Sequence, residues 1–283
     1  MNSLVELPGS QSTLARLVAG RYRLRALLGR GGMGRVWLAE DELLHRPVAL
    51  KQDLLSDPTS DVYRSGASGR LLIEASAAAK VNHHGAVTIY DVVTDDVHDW
   101  IVMEPLLGRT LAEVIAAAGR LPIAQVSGIG LSLLDVLQAA HRAGIVHCDV
   151  KPANVQVCDD GRVVLTDFGI AHRMLEDAGG ATQSFAASPV YTAPERLRGG
   201  DPTPASDLFS LGATLFNAVE GKPPFRGASL FDTIAAVVNG EPAPFLHAGP
   251  LQPLIEGLLA KTPADRLSGE QTRMALLTLQ QQA

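Results

Sequence analysis

The sequence predicts an α+β fold with two lobes: a small N-terminal antiparallel β-sheet plus one helix, then a larger, mainly helical C-terminal lobe. Two observations predict it. Up to about residue 104, short strand-like segments alternate with turn residues, and only one stretch has a helical pattern. From about residue 109, apolar residues recur mostly at helical spacing. We find no internal repeat and no second domain.

Composition narrows the function classes. The 283 residues include 24 basic and 30 acidic side chains, a formal charge of −6. This is not the basic charge that is typical of nucleic-acid-binding proteins. Two cysteines, Cys148 and Cys158, argue against a disulfide framework. No uninterrupted apolar run approaches the roughly 18 to 20 residues of a membrane span, and a signal-peptide pattern is lacking. We expect a cytoplasmic protein, with a membrane anchor only if the natural chain extends beyond this sequence.

Residues 1–18 form a leader to which we assign no structure. From Tyr22 an alternating strand reaches the glycine cluster Gly29–Gly34, and a second strand follows from Val36 to Ala39. Dinucleotide-binding glycines open a helix instead, so we predict a hairpin. Two interpretations remain: a turn without a ligand, or a flap whose backbone N–H groups approach phosphates because glycine has no Cβ. In the second, Val36 covers one face of an adenine.

Lys51 ends the next strand, Val48–Lys51. Alone, such a lysine is most simply a solvated strand end. The breaker-free stretch 70–80 predicts a helix, and Glu74 is its only acidic residue. Taken alone, Glu74 is most simply a surface carboxylate of that helix.

Two further strands, 87–93 and 100–103, lead to an extended segment, residues 104–108. Such a segment presents alternate backbone groups, here the carbonyl of Glu104 and the N–H of Leu106, to a ligand that lies beside it. A strand that simply ends in a turn is the alternative.

The C-terminal part begins with a helix from Thr110 to Ala118, whose Thr110 and Glu113 form a capping-box pattern. A longer buried helix, 122–143, ends at Gly144. A hairpin across Asp159-Asp160-Gly161 follows. Further helices are predicted over 207–219, 230–238, 251–259 and 269–280.

The most informative stretch is His147-Cys148-Asp149-Val150-Lys151-Pro152-Ala153-Asn154, followed by Asp167-Phe168-Gly169. It combines a carboxylate, an ammonium and an amide in one loop and adds a second carboxylate nearby. Phosphoryl transfer needs these groups: one to orient the attacking hydroxyl, a cation for the phosphate, and oxygen ligands for Mg²⁺.

These motifs, in this order with Ala193-Pro194-Glu195 and Asp207-Leu208-Phe209-Ser210-Leu211-Gly212, resemble those of bacterial eukaryotic-like (Hanks-type) Ser/Thr protein kinases. The resemblance runs from about Tyr22 to Gln280. It implies a kinase domain over 19–283, with an N-lobe over about 19–104, a hinge over 104–108 and a C-lobe over about 109–283. Arg266 lies where the family has the partner of Glu195.

The resemblance implies a Ser/Thr protein kinase that uses ATP with Mg²⁺ or Mn²⁺ and phosphorylates proteins, itself included. Asp149 would orient the substrate hydroxyl, Lys151 would steady the γ-phosphate, and Lys51 with Glu74 would fix the triphosphate. Asn154 and Asp167 would hold the metal. The implied nucleotide-binding set is Leu28, Gly29, Arg30, Gly31, Gly32, Met33, Gly34, Arg35, Val36, Ala49, Lys51, Met103, Glu104, Leu106, Asn154, Gln156 and Asp167. Autophosphorylation is expected at Thr182, Ser184 or Ser188.

Three residues depart from the family pattern. Ser188 replaces the usual threonine but keeps a hydroxyl, so we expect little consequence. Cys148 replaces the usual arginine, and it is either a buried, inert cysteine or a redox switch, which requires a lowered thiol pKa. Gln156 replaces an apolar residue expected to pack under the adenine.

Two other functions compete with an active protein kinase. A pseudokinase scaffold binds nucleotide without transferring phosphate, but such proteins typically lose the strand lysine, the loop aspartate or the metal aspartate, all present here. Small-molecule phosphotransferases share a similar loop but generally lack the Ala-Pro-Glu segment. The sequence does not indicate the substrate, the activating signal or the oligomeric state.

Overall fold

A computed structural model describes residues 16–31, 34–53, 70–95, 98–168 and 189–282. Two compact units divide the chain: Met1–Ala75 with Thr88–Pro105, and Ser76–Val87 with Leu106–Ala283. The chain passes from the first unit to the second between Pro105 and Leu106, and the earlier stretch Ser76–Val87 also belongs to the second unit. There Leu165 donates its N–H to the Gly85 carbonyl at 2.7 Å, and its own carbonyl accepts from the Val87 N–H at 3.3 Å.

The first unit contains one antiparallel sheet of six strands in the order β1-β2-β3-β4-β6-β5. The strands are β1 (Leu17–Val18), β2 (Tyr22–Gly31), β3 (Gly34–Asp41), β4 (Arg46–Asp53), β5 (Ile89–Thr94) and β6 (Asp99–Met103). Helix α1 (Arg70–Lys80) begins in this unit, with the bounds that its alanine-rich sequence predicts. Strand β1 lies in the segment that we left unassigned as a leader.

The alternation of side chains along β6 divides the apolar core between the two faces of the sheet. Trp100 and Val102 pack on one face with buried residues of β1 to β4. Ile101 lies on the opposite face with Ala75 of α1, and Met103 packs against them. Helix α1 thus covers one face of the sheet, which fixes where its acidic residue, Glu74, lies.

The glycine cluster forms a hairpin with longer strands than the sequence indicates. Pairing of β2 with β3 extends to Gly31 opposite Gly34, so residues assigned to the turn are in the ladder. Two register shifts interrupt β2, between Leu24 and Ala26 and between Leu27 and Gly29. Such irregularities increase the local twist of a hairpin.

The second unit is mainly helical and carries a small sheet, β7 (Gly108–Thr110), β8 (Val155–Cys158) and β9 (Val163–Leu165). Its helices are α2 (Leu111–Ala118), α3 (Ile123–Arg142), α4 (Pro194–Leu197), α5 (Pro204–Glu220), α6 (Leu230–Asn239), α7 (Gln252–Leu258) and α8 (Gly269–Gln282). The predicted capping box at the start of α2 is present: Thr110 accepts from the Glu113 N–H, and the Glu113 carboxylate accepts from the Thr110 N–H.

Helix α5 lies at the centre of this unit and is buried along most of its length. It packs against α3 and α7. A Cβ on Gly212 would lie 2.6 Å from Leu258 Cβ, so only glycine permits this close approach to α7. A rigid, buried helix of this kind can hold a polar side chain in a fixed position.

One helix in the described part of the chain, α3, is long and apolar enough to span a membrane, and half of its most apolar window is buried in the fold. Polar residues interrupt the apolar residues of α3, so a search for uninterrupted apolar runs in the sequence does not find this helix. The core helices of soluble proteins have the same composition, so this is weak evidence for a membrane segment.

A buried carboxylate joins the turns of the first unit. Asp41 is fully buried, and its two oxygens accept hydrogen bonds from Arg21 Nε and Nη2 at 2.8 and 2.7 Å. The backbone N–H groups of Leu43 and Leu44 also donate to it, at 3.2 Å each. The Arg21 hydrogen bonds lower the pKa of Asp41 from 3.8 to about 2, although burial opposes the shift.

Replacing Asp41 with asparagine should destabilise the protein in a pH-dependent way. A carboxyl whose pKa is lower in the folded state adds stability above its ordinary pKa and loses it as pH falls through the folded value. We therefore expect a higher Tm for the wild type near neutral pH and a difference that narrows between pH 3.8 and about 2. Circular dichroism melts measure this, with exposed Asp201→Asn as control. A Tm difference that does not change with pH would contradict it.

Candidate active site

Lys51 and Glu74 form a buried ion pair in the first unit. Lys51 lies on β4 and Glu74 on α1, with Nζ 2.7 Å from Oε1. Their exposed fractions are only 5% and 6%. Removing two charges from water is costly, and such a pair is weak evidence for stability alone. The geometry is the one that the sequence predicts, and it excludes the interpretation of Lys51 as a solvated strand end.

The glycine hairpin supplies the residues predicted to contact phosphates. Strand β2 carries Leu28, Gly29, Arg30 and Gly31, and β3 carries Gly34, Arg35 and Val36. A Cβ on Gly29 would meet nothing within 4 Å, so protein packing does not require glycine there. Gly32 and Met33 lie outside the described residues.

The predicted adenine-binding residues have defined backbone positions. Ala49 is buried on β4 and pairs with Met103 at the end of β6. The Glu104 N–H donates to the Thr88 carbonyl at 2.9 Å, and its carboxylate accepts from the Thr88 N–H at 2.9 Å. Leu106 is half-buried. The predicted hinge ends one residue early, since Gly108 already belongs to β7.

Three residues of the loop converge in the second unit. Asp149 Oδ2 accepts a hydrogen bond from Lys151 Nζ at 2.7 Å and another from Asn154 Nδ2 at 2.8 Å. Asn154 Nδ2 also donates to the Asp149 carbonyl at 2.9 Å. Asp149 and Asn154 are 7% and 5% exposed. The carboxylate is thus held in one orientation with a cation against it.

The donor set fits a hard divalent cation. The amide nitrogen of Asn154 bonds to Asp149, which leaves the amide oxygen as its metal-binding atom. Asp167, after β9, adds a carboxylate. In the described part of the chain no cluster of three or more acidic, histidine or cysteine side chains forms a metal site. Two protein oxygens suit Mg²⁺, which usually takes its remaining ligands from phosphates and water.

A buried carboxylate on α5 anchors the loop, and sequence reasoning missed its role. Asp207 is fully buried and accepts hydrogen bonds from the backbone N–H groups of His147 and Cys148 at 2.8 Å each. His141 Nε2 lies 2.8 Å from the same carboxylate. The available signal was an aspartate in a strongly apolar helix.

His147 supports the loop backbone. Its Nδ1 accepts from the Asp149 N–H at 3.2 Å, so Nε2 carries the proton and donates to the Thr166 carbonyl at 2.9 Å. The ring packs edge-on against Phe168. The histidine therefore ties the loop to the chain just before Asp167.

Cys148 has the environment of an inert thiol. Burial raises its pKa from 9.0 to about 12, and the charge of Asp207 adds to the shift. A redox-sensing cysteine needs a lowered pKa. A shift in the opposite direction, at a half-buried residue, favours the inert cysteine over the redox switch. Its backbone has φ of 70°, a conformation that its hydrogen bond to Asp207 helps to hold.

The structure locates some of the remaining predicted residues, and the others lie outside the residues that it describes. Arg266 pairs with Glu195 through two hydrogen bonds of 2.8 and 3.0 Å, which confirms the predicted bridge. Gln156 is half-buried on β8, opposite Thr110 and Val164. The residues that lie outside the description are Gly169, Thr182, Ser184 and Ser188.

Comparison with known proteins identifies the family to which the chain is similar. Residues 22–276 match the family described as the protein kinase domain. The chain is 37% identical over 261 residues to the serine/threonine-protein kinase PknA of Mycobacterium tuberculosis, covering 88% of this chain and 58% of that protein. It is 34% identical over 268 residues to the probable serine/threonine-protein kinase PknB of Corynebacterium glutamicum, covering 88% and 40%. The chain thus spans about half the length of these relatives.

The environment of Cys148 predicts slow alkylation. In a Cys158→Ser background, we expect iodoacetamide to label native Cys148 at pH 8 at least about a hundredfold more slowly than the unfolded chain, because burial suppresses the thiolate. Mass spectrometry measures the rate, and Cys148→Ser in the same background controls for other sites. Comparable rates in the native and unfolded protein would show that the thiol is reactive.

Proposed function

This chain belongs to the protein kinase family, and from that premise we propose that it is a Ser/Thr protein kinase that transfers the γ-phosphate of ATP to protein hydroxyls, including its own. The single observation that carries the proposal is the carboxylate of Asp149 with Lys151 and Asn154 bound to the same oxygen. A general base, a cation and an oxygen ligand beside it are the groups that phosphoryl transfer requires.

The proposed reaction assigns one task to each group. The serine or threonine oxygen bonds to the γ-phosphorus, the bond to the β–γ bridging oxygen breaks, and ADP leaves. Asp149 accepts the hydroxyl proton, and Lys151 offsets charge on the moving phosphoryl group. Lys51, held by Glu74 at 2.7 Å, binds the remaining phosphates.

A divalent cation, which we propose to be Mg²⁺ with Mn²⁺ as a substitute, would be held by Asn154 and Asp167. When bound, it neutralises phosphate oxygens and helps the leaving group depart. The Asn154 side chain, whose nitrogen is engaged by Asp149, supports this assignment because its oxygen is the atom that remains for the metal. We place this chemistry in the cytoplasm, where ATP and protein substrates are available.

Serine and threonine are the proposed acceptors. The loop Asp149-Val150-Lys151-Pro152-Ala153-Asn154 has the form typical of Ser/Thr kinases, and the curated relatives carry that name. The bridge from Arg266 to Glu195 argues against a small-molecule phosphotransferase, since that class generally lacks the segment. For a pseudokinase scaffold, the comparisons offer no support, and the three residues that such scaffolds typically lose, here Lys51, Asp149 and Asp167, are present.

Mass spectrometry after incubation with ATP and Mg²⁺ tests the function. We expect phosphate on the protein, at Thr182, Ser184 or Ser188, and on a generic acceptor protein. Asp149→Asn should lower the rate at least about a hundredfold, since a positioned base contributes on that scale. Asp160→Asn, in an exposed turn, is the matched control. Wild-type protein that binds ATP but phosphorylates nothing would favour the scaffold.

Gln156 should weaken nucleotide binding. An amide that packs against a base without a full set of hydrogen bonds costs about 1 to 3 kcal/mol. We therefore expect Gln156→Leu to bind ATP about fivefold or more tightly, measured by calorimetry. Gln281→Leu, exposed near the end of α8, is the control. Equal or tighter binding by the native protein would show that the glutamine is accommodated.

A further inference from the structure

A pocket of about 350 Å³ opens beside the loop in the second unit, and the chemistry proposed above does not use it. Its walls come from α2, the loop, the short turn after residue 188, and the end of α5. The described lining residues are Ala112, Ile115, Ala116, Lys151, Pro152, Ala153, Tyr191, Asn217 and Gly221. The volume is near the lower end of ligand sites, which is about 300 Å³.

The pocket adjoins the proposed catalytic base directly. Lys151 lines it and donates to Asp149 at 2.7 Å, and Pro152 and Ala153 follow in the same loop. An extended peptide advances about 3.3 to 3.6 Å per residue. A peptide whose hydroxyl reaches Asp149 therefore passes the pocket within about three residues of that hydroxyl.

The lining is mostly apolar and contains no acidic residue among the described side chains. The nearest carboxylates in sequence are already engaged. Asp149 accepts hydrogen bonds from Lys151 and Asn154. Glu113 caps α2 through Thr110, and Glu220 accepts three backbone N–H groups at 2.8 to 2.9 Å. The one charged lining residue is the cation Lys151. A lysine or arginine side chain would therefore enter this pocket without a counter-charge, which is costly.

The polar lining residues satisfy each other. Asn217 Nδ2 donates to the hydroxyl of Tyr191, a half-buried side chain, at 2.5 Å. The wall they form is fixed, and with Ile115, Pro152 and three alanines it leaves a concave surface that an apolar side chain would fill.

We propose that this pocket selects protein substrates that carry an uncharged, apolar side chain within three residues of the phosphorylated serine or threonine, and that it disfavours basic side chains. The proposal rests on the proposed kinase function and names its substrate class. The occupant is a segment of a substrate protein, because the pocket is continuous with the group that would receive the hydroxyl proton.

The experiment uses acceptor peptides that vary one flanking position at a time. Phosphorylation is measured with ATP and Mg²⁺, and binding is measured separately by fluorescence anisotropy with a non-hydrolysable ATP analogue. At one position we expect leucine, methionine or phenylalanine to give kcat/KM and affinity at least fivefold above lysine or arginine.

Two matched variants assign the preference to the pocket. Ala116→Glu adds a carboxylate to the lining, whereas Ala117→Glu adds one to the next, exposed residue of α2, which does not line the pocket. We expect Ala116→Glu to raise the relative affinity for basic peptides at that position at least fivefold. Ala117→Glu should keep the wild-type profile.

The two readouts separate this proposal from the proposed function. Selective peptide binding without phosphate transfer would overturn the kinase function and support the pocket. Phosphate transfer with a flat or basic preference would overturn the pocket alone, as would identical profiles for the two glutamate variants. Peptides that neither bind nor accept phosphate would overturn both.

Discussion

The structure of the candidate site depends on one buried carboxylate. Asp207 lies on α5, which close packing around Gly212 holds in place, and it accepts the N–H groups of His147 and Cys148 at 2.8 Å each. Those bonds hold Cys148 at φ of 70°, a costly conformation for a residue with a Cβ. The next residue is Asp149. The direction in which the proposed base points is therefore set by hydrogen bonds to the backbone of its neighbours, and it does not depend on ligand binding.

Charge in the first unit is organised in a similar way. Asp41 is buried and ties Arg21 to a turn, while Glu74 holds Lys51 from the helix that covers one sheet face. Buried carboxylates are costly unless hydrogen bonds or cations compensate them. Asp41 and Glu74 each have a basic partner, Arg21 and Lys51. A fold that separated either pair would leave a buried charge uncompensated, which disfavours that fold. In both units, acidic residues position the groups proposed to contact phosphate.

Local sequence patterns predicted most helices and strands. Where the structure differs from the prediction, contacts between residues far apart in the chain are the usual reason. The alanine-rich pattern of α1 and the capping box of Thr110 and Glu113 were sufficient for those helices. Strand β7 was not predicted, because Gly108–Thr110 has no strand pattern and pairs only with β8, nearly fifty residues away. The family resemblance implied an ion pair for Lys51, and Glu74 could be chosen as its partner because it is the only acidic residue on that helix. The role of Asp207 was not predicted, since its partners lie about sixty residues earlier.

The groups proposed for catalysis and the residues proposed to select the substrate are different sets of side chains. Asp149 and Asn154, two of the groups proposed for catalysis, are buried and joined by hydrogen bonds through side chain and backbone. A substitution there therefore disturbs the backbone as well as the side chain. The neighbouring pocket is lined by small residues, such as Ala116 and Ala153, that are exposed and make no hydrogen bond through their side chains. Changes at those positions alter shape and charge without touching the loop geometry. A protein built in this way can acquire new substrates while the arrangement of Asp149, Lys151 and Asn154 stays constant.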